Sequence, residues 1–516
     1  MGLKYILTID VGTQSTRGII FDNQGQIIEK EKREYNPYLS NVPGYAEQEG
    51  DFYWHTICDV CQVLKQKQPK IFEDLLGVTL TTMRNTVVPV DENGKPLRPV
   101  ILWLDQRMAK AQDKIPFMYA SILKLIGEEK KIQNFRRVFR WQWIKENEKN
   151  VYKNTYKYLL LSAYLNFKLT GHFIDSTASQ IGYVPYDFKR RKWASKYDVK
   201  SIAFNIDHKK MPELVEPGQE IGLISSKASC ETGIQAGIPV IASGSDKGCE
   251  TLGTGCLDSE TGNLSLGSAV TIQTTTPKYI EIHRFIPAYP SVIPNQYNPE
   301  IQINRGYWMV RWFKNEFAEI EKKQSEEQDI PVEVLLDKLL EMVPVGSDGL
   351  FLQPYWGGEL KDPYAKGAVI GFTDSHTRAH IYRAIVEGIN YAVLDGIESI
   401  ERKTQKRINA IAISGGGSQS DNICKITADM MGRTVYRVQT YETSGLGAAV
   451  AAFKALNVFN TYEEAVNGMV HKESVFEPDP VNAKKYKQMY QQAYKKIYPN
   501  LKKLYKEIDH ITSGNR

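Results

Sequence analysis

The first turn of the chain restricts its possible folds more than any other feature. Residues 5–10 and 15–22 are apolar, β-branched runs separated only by Val11, Gly12, Thr13 and Gln14, and the turn Asn23-Gln24-Gly25 leads into a third extended run, 26–33. This spacing predicts a β-meander. Its first turn gathers Asp10, Gly12, Thr13, Gln14, Ser15, Thr16 and Arg17: hydroxyls and a glycine with one acid and one base. Such a set suits phosphate oxygens better than ordinary turn filling. The pattern returns after Gly262, where two apolar runs bracket a second turn with Gly267 and Ser268. The echo predicts two related domains, 1–257 and 258–516.

Length agrees with that division, since 516 residues exceed what one hydrophobic core usually supports. Two domains of this size predict a cleft between them. With 42% apolar and 24% charged residues, a packed core is expected rather than disorder. The net charge of +5 is interleaved with acids and gathers in no arginine stripe, so no nucleic-acid partner is expected. The lysine-rich stretches 124–137 and 484–506 read as solvated helix faces. No run reaches the roughly 20 apolar residues of a membrane span, and no signal peptide is evident, so a cytoplasmic protein with no membrane partner is expected.

Six scattered cysteines make a disulfide framework improbable. Cys58 and Cys61, with His55 a turn earlier, lack a second ligand pair, and His376 and His380 lack the glutamate and third ligand of a zinc helix. Core and structural roles are expected for both. Homodimerisation is the default among soluble oligomers.

Further along, a helical run at 52–66 precedes a strand at 76–81, the triplet Met83-Arg84-Asn85, and a second meander over 86–90 and 100–104. Residues 124–169 predict several inserted helices that wall the substrate side. A short buried strand at 237–242 ends in Ser243, Gly244, Ser245 and Asp246 and is followed by a small-residue helix over 247–255. A polar residue at the carboxyl end of a buried strand faces the crevice of an open α/β sheet, which places Asp246 for chemistry. Helices are predicted at 308–322, 331–341, 377–403 and 420–431. A strand at 408–413 runs into Ser414, Gly415, Gly416, Gly417 and Ser418, a turn whose backbone N–H groups can face a nucleotide. No Walker loop is present.

Taken together, Asp10 to Arg17, Trp103-Leu104-Asp105-Gln106-Arg107, Gly244 to Asp246, Leu266-Gly267-Ser268, Ser414 to Ser418 with Ala428-Asp429, and Glu442 to Ala449 resemble the FGGY carbohydrate kinases over nearly the whole chain. The resemblance implies an α/β protein of two actin-like, ribonuclease-H-like ATPase domains, with ATP and Mg2+ in the cleft and a small carbohydrate beneath the N-terminal domain. It implies phosphoryl transfer to a hydroxyl, chemistry that rests on positioning and charge neutralisation.

By the same resemblance Asp246 is the general base, and Asp10 and Asp246 face the metal. Gly12, Thr13, Gln14 and Arg17 line the γ-phosphate, Gly267 and Ser268 form a second phosphate loop, and Gly415, Gly416, Gly417 and Ser418 flank the adenosine. Arg84, Asn85, Trp103, Asp105 and Asp246 line the acceptor. Departures lie on the substrate side: Arg84-Asn85 stands where glycerol kinases have Arg-Glu and xylulose kinases Met-His, and Arg140 replaces a lysine. Lys425 replaces a glutamine near the adenosine.

Alone, Asp10 is also an ordinary turn residue, Asp246 an ordinary helix cap and Trp103 an ordinary core residue. Competing functions on the same fold are an actin-like ATPase that drives partner binding and a sugar sensor without catalysis. A polyol, a ketose or a sugar acid is as far as the residues specify the substrate.

Overall fold

The computed structural model describes residues 2–40, 42–284, 286–356 and 364–513. Its N-terminal sheet begins with the predicted meander, β1 (Tyr5–Val11), β2 (Ser15–Asp22) and β3 (Ile27–Glu34). Helix α1 (Gly50–Lys67) then covers the sheet through Tyr53, Trp54, Ile57, Val60, Cys61 and Leu64, apolar positions three or four apart. Strands β4 (Leu75–Thr82), β5 (Glu220–Leu223) and β6 (Pro239–Ile241) complete six strands in the order β5-β6-β4-β1-β2-β3. β4 and β6 run parallel to β1, and β5 is an antiparallel edge. β1 has neighbours on both sides, which is why it reads as an unbroken apolar run.

After β6 comes helix α2 (Asp246–Gly253), and then the second sheet. It contains β7 (Thr261–Leu266), β8 (Val270–Gln273) and β9 (Glu300–Ile303). Beyond helix α3 (Arg378–Thr404) come β10 (Ala410–Ser414), helix α4 (Asp421–Met431) and β11 (Thr434–Val438). Helix α5 (Thr443–Ala455) and the edge strand β12 (Lys472–Phe476) follow. The order β9-β8-β7-β10-β11-β12 again combines an antiparallel meander, two parallel strands and one antiparallel edge. The two sheets therefore share one pattern of pairing, as the repeated glycine turn led us to expect.

Between the meander and β5 the chain builds the insertion expected from residues 124–169. A four-stranded sheet of Glu47–Gln48, Val100–Ile101, Val87–Val90 and Lys157–Leu160 is joined by the helices Phe117–Leu125, Glu129–Val138, Arg140–Asn147, Lys149–Asn154 and Leu161–Thr170. The strand expected over 100–104 stops at Ile101, because the chain peels away to carry Trp103 and Asp105. The helix expected over 308–322 breaks at Ala318 into Trp308–Phe317 and Glu319–Gln328.

The halves interleave more than a cut at residue 257 suggests. Helix α5 lies against α2, and one apolar cluster joins Ile6, Ile19, Phe21, Ile241, Cys249 and Leu252 to Leu446, Val450, Phe453, Val466 and Met469. Tyr279 and Tyr289 pack in turn on the N-terminal insertion. All six cysteines are free thiols. Among the described residues, no helix is long and apolar enough to cross a membrane.

Candidate active site

Register sets the first acidic position. Asp10 lies opposite Arg17 across β1 and β2 and beside Thr81 on β4, so the meander itself brings acid and base together. Arg17 Nη1 donates to Asp10 Oδ2 at 3.0 Å, and its Nε lies 3.4 Å from Glu442 Oε2. Burial pushes the Asp10 carboxyl up to about 6; Arg17 opposes the shift, and the nearby charges of Glu442 and Asp246 add to it. The glycine turn behind it is closed by Gly12 N–H donating to Ser15 O at 2.9 Å and by the Tyr35 hydroxyl donating to Gly12 O at 2.9 Å. Gln14 is exposed beyond it. Thr13 accepts the indole N–H of Trp103 at 2.9 Å, and Trp103 is 37% exposed, as a surface residue rather than a core residue.

Asp246 opens α2, but it does not cap it. Ser245 is the N-cap, with its hydroxyl accepting from Gly248 N–H at 3.4 Å, so the bland reading of Asp246 as a cap falls to its neighbour. The Asp246 carboxylate keeps 29% of its side chain exposed, accepts from Lys247 N–H at 2.8 Å, and lies 3.7 Å from Arg84 Nε. Desolvation raises its pKa against the pull of Arg84 and Lys247.

Arg84 bridges the two halves. Its Nε donates to Ser245 Oγ at 3.3 Å, while its Nη1 donates to both carboxylate oxygens of Glu300 on β9, at 3.0 and 2.8 Å. The guanidinium also lies 5.1 Å from the Tyr289 ring centroid. Asn85 adopts a left-handed conformation, φ 50°, which asparagine tolerates better than most residues. Its amide oxygen accepts from Tyr183 N–H at 3.3 Å, so its side chain holds the neighbouring loop.

Asp105 departs from the expectation. Its side chain is 0% exposed and accepts from Ala46 N–H at 2.8 Å, from Arg107 N–H at 3.0 Å and from both ends of the Arg107 guanidinium. Every lone pair that could greet a substrate is already engaged, so the residue braces the loop behind Trp103. Arg140, buried alongside, donates to the Asp105 and Arg107 carbonyls and belongs to the same brace.

The remaining loops converge on α2 from the other domain. Lys247 Nζ donates to Glu250 at 2.7 Å and to Ser265 at the end of β7 at 2.6 Å; Ser414 at the end of β10 donates to Glu250 at 2.6 Å. Gly267 and exposed Ser268 follow β7, their carbonyls taking the N–H groups of Tyr307 and Trp308. Gly415, φ 80°, lies so near β7 that a Cβ would meet Leu266 carbonyl atoms at 2.9 Å, and one at Gly417 would meet the Tyr307 ring at 2.5 Å. Gly416 is exposed with open space before it. The Ser418 hydroxyl turns inward to the Gly415 carbonyl at 2.7 Å.

Lys247, Glu250, Tyr289 and Glu300 escaped the sequence reading. Lys247 and Glu250 had a signal in adjacency to Asp246, one on the next position and one a helical turn later. Glu300 had only the general rule that a buried acid needs a partner.

Comparison with known proteins accords with this arrangement. The model of the FGGY carbohydrate kinase N-terminal domain matches residues 5–253, and that of the C-terminal domain matches 262–456. The chain belongs to the FGGY family of carbohydrate kinases, enzymes that use ATP to phosphorylate an alcohol group of a sugar. Its relatives include a xylulose kinase of Lactococcus lactis, 27% identical over 98% of both chains, and a gluconokinase of Bacillus subtilis, 24% identical over 94% of both. In fold it is similar to a gluconate kinase from Lactobacillus acidophilus, with TM-score 0.83 and 22% identity over 98% of this chain and 100% of that one.

Proposed function

We propose that the enzyme transfers the γ-phosphoryl group of ATP to a hydroxyl of a small polyol, ketose or sugar acid, with Asp246 accepting the hydroxyl proton. The observation that carries this reading is the Asp246 carboxylate: it follows the carboxyl end of an interior strand, relieved of capping by Ser245, made more basic by burial, and still 29% exposed. Gly12, Thr13, Gln14 and Arg17 on one side, and Gly267, Ser268 and Gly415 to Ser418 on the other, are the residues we assign to the nucleotide. Arg84 and Trp103 face the acceptor, and Asn85 shapes its loop. The working division of domains is 1–257 and 258–516.

A magnesium ion suits the acidic pair. Among the described residues, no group of three or more His, Cys, Asp or Glu side chains gathers to cage a metal. Mg2+ is commonly held by one or two carboxylates together with phosphate oxygens and water, which Asp10 and Asp246 fit. Bound there, the ion would neutralise charge on the transferring phosphoryl group.

The test is ADP release by the purified protein with ATP and Mg2+ across polyols, ketopentoses, ketohexoses and sugar acids. Strong stimulation by one compound class is expected. Uniform failure with nucleotide binding intact would overturn the reading.

A further inference from the structure

We infer that Glu300 makes the acceptor site select uncharged polyhydroxylated compounds, polyols and ketoses, over sugar acids; this rests on the kinase reading above. Arg84 is the cation that a carboxylate substrate would seek, since its fork matches carboxylate oxygens. In the structure that fork is already answered: Nη1 binds both oxygens of Glu300, and Nε binds Ser245 and approaches Asp246. Glu300 is itself enclosed, with its side chain 4% exposed, and takes a further hydrogen bond from the Gln273 amide. The pair is therefore fixed from both sides. It leaves Nη2 of Arg84, outside these bonds, to donate to a hydroxyl.

The other cations nearby are matched in the same way. Lys247 is committed to Glu250 and Ser265, and Arg17 lies between Asp10 and Glu442. Of the protein's own charges, Asp246 is then the one left over on the acceptor side, and it is negative; Mg2+ bound there would arrive with ATP, whose phosphates outweigh the ion's charge, so no net cation is added. A sugar acid entering this site would meet no uncompensated cation and would stand against a like charge in a partly dry cleft, a repulsive element of the kind that sets specificity. A neutral hydroxyl meets a donor in Arg84 and an acceptor in Asp246.

The experiment compares ADP release with D-xylulose, glycerol and other neutral acceptors against D-gluconate and related aldonic acids, in wild type and in Glu300→Gln. For wild type, kcat/KM for the best neutral acceptor is expected to exceed that for the best acid by about 100-fold or more. Equal or better use of an acid would overturn the role of Glu300 while leaving the kinase reading intact. No stimulation by any acceptor would overturn both. In Glu300→Gln, with folding checked by ATP binding, uncovering Arg84 is expected to raise the acid-to-neutral ratio about tenfold or more. An unchanged ratio in a variant that binds ATP would overturn the inference. Should that variant fail to fold, the wild-type comparison still decides.

Discussion

Asp175 is a fully enclosed carboxylate that meets four donors: Ser162 Oγ at 2.7 Å, Asn166 Nδ2 at 3.1 Å, Ser176 N–H at 2.8 Å and Gln180 Nε2 at 2.6 Å. It supports the turn that carries Ala178, whose carbonyl accepts the Ser245 N–H at 3.2 Å, so it bears on the placement of Asp246. Burial nevertheless pushes the Asp175 carboxyl up to about 7, with its hydrogen bonds opposing the shift. An acid raised in this way keeps its proton in the folded state after the unfolded chain has lost it. Its contribution to stability therefore falls as pH rises from about 4 to 7 and is flat above. Urea midpoints of wild type and Asp175→Asn across that range should converge or cross, with the variant showing the flatter profile; parallel profiles would contradict the assignment. The residue scale is also where the sequence misled most. Asp105 sits in a motif that reads as substrate contact, yet its partners, the Ala46 N–H and Arg107, are fixed by how the loop folds back and by Arg140 behind it. Pattern located the loop, but only tertiary packing determines which way its carboxylate turns.

Elements were legible where local chemistry and tertiary demand agree. The meander and the starts of α3 and α4 follow from signals within a few residues of each boundary, and the structure adds an N-cap at Ser420 before α4 and a capping box at Thr377 before α3. His380 completes that capping box, which gives one half of the histidine pair a structural role. What the sequence could not show is the crossing of α2 and α5. A Cβ on Gly447 would stand 1.8 Å from the Cys249 carbonyl oxygen, and one on Gly253 would stand 2.0 Å from that of Thr443. These glycines are needed because two helix backbones touch where one domain joins the other. Gly447→Ala should force the helices apart, lowering stability by about 1–3 kcal/mol as overpacking does, and should reduce turnover through misplacement of Asp246. Thermal unfolding and kcat measured together test this; an unchanged kcat in a destabilised variant would show that the contact does not position Asp246.

At the scale of the whole molecule, two sheets share one topology, and the loops we assign to acceptor, phosphate and adenosine follow strands of those sheets. The repeated glycine turn made the duplication readable from residue order alone. The cross-domain links were not, because Arg84 to Glu300 and Ser414 to Glu250 join positions 216 and 164 residues apart. These links tie the loops of the second domain to Asp246, and the account stands or falls on that carboxylate. The most direct measurement is turnover of Asp246→Asn with its stimulating acceptor, alongside ATP affinity. The amide keeps the shape but removes the proton acceptor, so kcat should fall by about 100-fold or more while ATP affinity stays within a few-fold of wild type. A variant that transfers phosphate at the wild-type rate would contradict the account.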